Sequence, residues 1–134
     1  MAAYVVDTGI LIRYLRGRRR FVRLVRSLGG RDRLAISAVT RTEIRAGMLQ
    51  HQTRDTRRLL SRMETVPVDR AIADRAGDLI RRAHGQGHTL HLGDALIAAT
   101  AARRGLTLIT LNIGHFAGLG VSLYPILEHL ETSR

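Results

Sequence analysis

Short apolar stretches recur along this chain, and each is followed by residues at helical spacing. Ala3–Val6, Leu34–Ile36, Leu106–Thr110 and Val121–Leu123 read as strands, and Val66 and Val68 mark another beside Pro67, which makes it edge-like. Strands this short and this apolar are covered on both faces, which is how parallel sheets are built. Between them, Ile10, Leu11, Tyr14 and Leu15 fall on one helical face, and Phe21, Leu24, Val25 and Leu28 on a second, closed by Gly29 and Gly30. Ser37 caps a helix running to about Leu49, and Arg54 to Met63 forms another. Asp69 caps a helix from Arg70 to about His84. Asp94–Arg104 is rich in alanine and stops at Gly105, and Pro125 to Leu130 reads as a closing helix. The expectation is an α/β fold in three layers, with a central parallel sheet of four or five strands in a single domain over residues 1–134. Sites in such sheets lie beyond the carboxyl ends of the strands, where the strand order reverses.

Composition narrows the chemistry. There is no cysteine, which excludes disulfides, thiolate zinc sites, iron–sulfur clusters and thiol nucleophiles. The longest apolar run, Ala95–Ala102 with Thr100 inside it, is far short of the roughly 20 residues that span a membrane. The first strand starts almost at once, leaving no room for a signal peptide, so the expected location is cytoplasmic. The net charge is +11, from 22 basic and 11 acidic residues, and every basic residue is arginine. A GC-rich coding sequence accounts for arginine over lysine but not for the surplus of charge. Arginine grips phosphate with two hydrogen bonds, so nucleic acid is the leading class of partner.

Three acids stand against apolar segments. Asp7 ends the first strand, Glu43 lies in the helix after the second, and Asp94 opens the alanine-rich helix. A carboxylate in such a setting is costly unless it is paired or bound to metal. One reading makes Asp7 a helix cap, Asp94 a first-turn acid favoured by the helix dipole, and Glu43 a member of a surface ion pair. The other brings the three together at one sheet edge around a hard divalent cation, which takes oxygen ligands.

The residues flanking these acids decide between the readings. Tyr4-Val5-Val6-Asp7-Thr8, the stretch Ile36 to Ile44, the stretch Gly93 to Ala101 and the stretch Leu108 to Phe116 occur in an order and spacing that resemble PIN domains, and within them VapC-type toxins of toxin–antitoxin pairs. The resemblance spans nearly the whole chain. It implies a PIN-like fold and an endoribonuclease dependent on Mg²⁺ or Mn²⁺, with Asp7, Glu43 and Asp94 as metal ligands and catalytic residues. Asn112 stands where the family often has a fourth acid; it joins the catalytic set but carries no charge, so a second metal would be held more weakly. His115 is a possible substitute. Thr8 and Thr110 are hydroxyls that orient water or a carboxylate. RNA as substrate, a cognate antitoxin that covers or displaces the metal site, and a homodimer follow from the resemblance alone.

Other features carry less. Arg13, Arg16, Arg18, Arg19 and Arg20 surround the mouth expected after Asp7, as contacts for RNA or for an acidic antitoxin segment, or else as a solvated charge run. His84, His88 and His91 have zinc-like spacing, but Gly85 and Gly87 interrupt it. Asp74 and Asp78 read as ion-paired acids on a solvated helix face. The scarce aromatic rings read as core, so recognition rests on phosphates rather than base stacking. Leu59, Leu60 and Met63, with Ile10, Leu11 and Leu15, exceed what a small core needs and suit a dimer interface or an antitoxin groove. The rival functions are a catalytically weak or inactive nucleic-acid-binding module on the same fold, a DNA-directed nuclease, and a basic interaction protein without activity.

Overall fold

The computed structural model describes residues 2–126. Four strands, β1 (Ala2–Val6), β2 (Arg33–Ser37), β3 (Glu64–Val66) and β4 (Thr107–Ile109), form one parallel sheet in the order β3-β2-β1-β4. β1 is central. Val5 pairs with Ala35 of β2 and with Leu108 of β4, so the chain builds outward to β3 and then crosses back to add β4 on the other side of β1. The strand order therefore reverses between β1 and β4.

Seven α-helices cover the sheet among the described residues: α1 (Thr8–Leu15), α2 (Arg19–Gly29), α3 (Ala38–Ala46), α4 (Thr53–Ser61), α5 (Arg70–Gly85), α6 (Leu92–Arg104) and α7 (Ile113–Phe116). Side chains alternate along each strand, and the core divides with them. Val5, Ala35 and Leu108 face α5 and α6, while Val6, Leu34, Ile36 and Ile109 face α1, α2 and α4. α6 is the helix buried deepest: Ala95, Ala98, Ala99 and Ala101 are inaccessible, because alanine lets a helix lie close against the sheet.

Local signals positioned the helices well. Asp7 accepts from Thr8 N at 2.8 Å at the start of α1, Ser37 Oγ accepts from Val39 N at 3.1 Å, and Asp69 accepts from Ile72 N at 2.8 Å. Gly105 ends α6 with φ 64°, in the left-handed region. Gly105→Ala is expected to cost about 1 kcal/mol, the left-handed strain of an L-residue less the entropy gained, read as a shift in the urea midpoint.

Four expectations need correction. Val121–Leu123 is not a strand: Leu123 makes one isolated bridge to Leu108, between turns with positive φ at Gly118 and Gly120 and a proline at position 125 that cannot donate. The helix after Ser37 stops at Ala46, where Gly47 caps it, and a 3₁₀ turn at Gln50–Gln52 precedes α4. α6 starts at Leu92, so Asp94 lies inside its first turn. The apolar surplus is absent: Ile10, Leu11, Leu59, Leu60 and Met63 are buried in the chain's own core, because three helices must be sealed onto one sheet face. Most of the closing helix expected from Pro125 to Leu130 lies outside the described residues. No described helix is long and apolar enough to cross a membrane.

Candidate active site

The reversal between β1 and β4 holds the site. Asp7 follows β1, and its N–H donates to Ile109 O at 2.9 Å, locking the two strand ends together. Its carboxylate is buried, with 4% of the residue exposed, yet both oxygens are held. Oδ1 accepts from Thr8 N at 2.8 Å and Oδ2 from Thr110 Oγ1 at 2.7 Å. Thr110 Oγ1 in turn accepts from Asn112 N at 3.0 Å. Thr110 thus ties β1 to the loop after β4.

Glu43 reaches the same place from α3. Its Oε1 accepts from Thr8 Oγ1 at 2.9 Å, and Thr8 Oγ1 also lies 3.0 Å from Thr40 Oγ1. Thr40 is fully buried one helical turn before Glu43. Sequence reasoning missed it; the three-residue spacing from Glu43 was the only available signal. Asp94, on the third element, keeps a quarter of its side chain exposed and has His115 Nδ1 3.4 Å from its Oδ2.

Electrostatics tie the three acids together. Burial pushes the Asp7 carboxyl above its ordinary range; the Thr110 and Thr8 hydrogen bonds pull it back down, and the negative charges of Asp94 and Glu43 add to the upward push. Asp7 therefore senses both other carboxylates. No arginine pairs with any of the three among the described residues, where the arginine ion pairs are Arg81–Asp78 and Arg104–Glu64. Asp7 does cap α1 and Asp94 does sit in a first turn, so those two structural readings hold. The surface ion pair expected of Glu43 is not formed among the described residues.

The donor set is hard oxygen throughout, which suits Mg²⁺ or Mn²⁺. Among the described residues, no three His, Cys, Asp or Glu side chains already stand in ligating proximity. His84, His88 and His91 form no such group among the described residues.

Arg18, Arg19 and Arg20 lie away from their expected position, while Arg16 shares a cavity wall with Glu43. Arg16 follows α1, Arg18 precedes α2, and Arg19 and Arg20 begin α2. They sit beyond the far end of α1, an eight-residue helix about 12 Å long, from Asp7 at its start. Arg13 is half-buried, donates to Gly9 O at 3.0 Å and stacks on Phe21 at 5.7 Å. Its first role is to hold α1 against α2. Asn112 is exposed beside Thr110.

Replacing Thr110 with valine keeps the shape and removes the shared hydroxyl. The buried Asp7 oxygen and the Asn112 N–H both lose a partner, at a cost of about 1–3 kcal/mol in urea unfolding.

Residues 4–118 match the PIN domain family. The chain belongs to the PIN-domain family. It is 41% identical to Ribonuclease VapC10 of Mycobacterium tuberculosis over 130 residues, which cover 95% of this chain and 90% of that protein. Ribonuclease VapC5 of the same species is 36% identical over 116 residues, covering 81% and 82%. Among solved structures, a toxin–antitoxin complex from Klebsiella pneumoniae superposes with a TM-score of 0.79 at 32% identity, over 92% of this PIN domain chain and 97% of that one.

Proposed function

We propose that this PIN-domain protein is a VapC-type toxin, a metal-dependent endoribonuclease that hydrolyses RNA phosphodiester bonds and is neutralised by a cognate antitoxin. The observation that carries the reading is the buried Asp7 carboxylate at the strand-order reversal, which feels the charges of Glu43 and Asp94, with no arginine ion-paired to any of the three among the described residues. The relatives named ribonucleases and the toxin–antitoxin neighbour support it.

Asp7, Glu43 and Asp94 would hold the divalent ion. When bound, that ion supplies an activated water and neutralises charge on the phosphoryl oxygens. Thr110 and Thr8 hold the carboxylates of Asp7 and Glu43 by hydrogen bonds. Asn112 presents an uncharged amide beside them and accepts or donates toward the phosphate or its water. Thr110→Val is expected to lower cleavage about 10–100-fold, the usual effect of removing a residue that orients a ligand.

The chemistry makes no use of the RNA 2′-OH, so the choice of RNA rests on binding. The antitoxin, a homodimer and a cytoplasmic location belong to the same reading. Leu92, 66% exposed two residues before Asp94, offers apolar surface beside the site for such a contact.

A second reading has one observation in its favour. The missing charge at Asn112 weakens metal binding, which would leave a nucleic-acid-binding module. Purified protein incubated with total cellular RNA in Mn²⁺, Mg²⁺ or EDTA separates the two. Discrete cuts that need metal are expected; RNA binding without any metal-dependent cut would favour the module.

A further inference from the structure

Three cavities adjoin on the α1–α2–α4 side of the sheet. The first, about 270 Å³, starts at Glu43 and is bordered by Leu15 and Arg16. The second, about 410 Å³, shares Leu15 and is bordered by Arg26, Arg58 and Arg62. The third, about 280 Å³, shares Arg26 and Arg62 with the second. Through these shared lining residues they make a trough running from Glu43 past the end of α1 and between α2 and α4; Asp7 and Asp94 line none of the three.

The lining has a consistent character. Arg16, Arg26, Arg58 and Arg62 come from three helices or their ends, all are exposed, and none has an ion-pair partner among the described residues. Two acids, Asp55 and Asp32, border the second and third cavities, so the balance there stays positive. A positive side chain in the last turn of α2 or α4 complements that helix's dipole. The dipole does not explain why several such ends share one trough. The wall also holds a hydroxyl that the fold leaves unused: Thr56 Oγ1 is buried and has no hydrogen-bond partner.

We propose that the RNA strand enters or leaves the carboxylate site along this trough, with its phosphates carried by Arg16, Arg26, Arg58 and Arg62. The proposal rests on the ribonuclease reading and names the path of its substrate. Continuity with Glu43 and charge complementarity select a phosphodiester strand as occupant. A positive groove that tracks the backbone is how single strands are held without base readout, and guanidinium forks match phosphate oxygens. The path differs from the one expected at Arg18, Arg19 and Arg20, which border none of the three cavities.

The test is binding of a fluorescent mixed-sequence single-stranded RNA 20-mer to the full chain in EDTA, across a salt series. The Arg58→Gln/Arg62→Gln variant is compared with Arg75→Gln/Arg103→Gln, which removes the same charge from α5 and α6 on the opposite layer. Loss of two phosphate contacts makes the slope of log K against log salt shallower by about 1.4, at about 0.7 per phosphate on a single strand. That change in the α4 variant, with the parental slope kept in the control, is the expected result. Equal slopes in all three proteins, or the same change in both variants, would overturn the trough. So would an α4 variant that keeps its RNA slope but no longer binds an acidic peptide or the antitoxin, since the trough would then belong to a protein partner. Circular dichroism confirms that both variants are folded. The ribonuclease reading is checked separately, by metal-dependent cleavage with the parental protein. If the parent neither binds nor cuts RNA, both readings fall. If it does both and the slopes agree, the trough alone falls.

Discussion

Asp94→Ala is expected to reduce metal-dependent RNA cleavage by at least about 1,000-fold, equivalent to about 4 kcal/mol of transition-state stabilisation. The fold should barely register the change. Asp94 keeps a quarter of its side chain exposed, and its contact with His115 is a surface one. The variant loses one favourable charge in the first turn of α6, about 0.3–1 kcal/mol. A normal melting temperature beside absent cleavage would place Asp94 in the chemistry. Equal cleavage by parent and variant, prepared identically, would remove it from the site.

Asp7→Asn is expected to separate stability from activity in opposite directions. Asparagine occupies the same volume and can still bond to Thr8 N and Thr110, but it carries no charge to desolvate beside Asp94 and Glu43. In EDTA the variant should melt higher than the parent, at about 4 °C for each kcal/mol relieved in a chain this size. The raised pKa of Asp7 means the native state holds its proton more tightly than the unfolded chain does. This group therefore favours folding at low pH and disfavours it as the pH rises through its folded-state pKa. The advantage of the asparagine variant should be full at neutral pH and shrink as the pH falls through the carboxylate range. Added Mn²⁺ should raise the melting temperature of the parent and not of the variant. Cleavage by the variant should fall about as far as for Asp94→Ala. A variant less stable than the parent at neutral pH without metal would contradict the burial argument. A site that carries such strain trades stability for function.

What was legible in the sequence was mostly local. Caps at Asp7, Ser37 and Asp69 and the stop at Gly105 need only neighbouring residues, and the structure has each where the sequence put it. The parallel sheet followed from the apolar strands, because such strands demand cover on both faces. The site was partly legible. All three acids were singled out by their apolar flanks, but in the structure Glu43 is exposed. Its place beside Thr8 depends on α3 leaving the sheet at Ser37, which is a tertiary fact. Arg18, Arg19 and Arg20 were misplaced for the same reason: residues near Asp7 in sequence are carried off by the length of α1. The surplus of leucine on α4 vanished because the sequence does not say how many helices one sheet face must seal. The arginines of the trough are spread from position 16 to 62, and no local pattern joins them.

The Thr110 hydroxyl that holds Asp7 lies 103 residues further along the chain. At about 5–20 residues per second, synthesis of that partner follows Asp7 by roughly 5–20 s. Until β4 leaves the ribosome and docks on β1, the carboxylate cradle does not exist. The residue that positions Asp7 is thus made near the far end of the chain, and the β1 carboxylate gains its second hydrogen bond only once β4 has paired with β1.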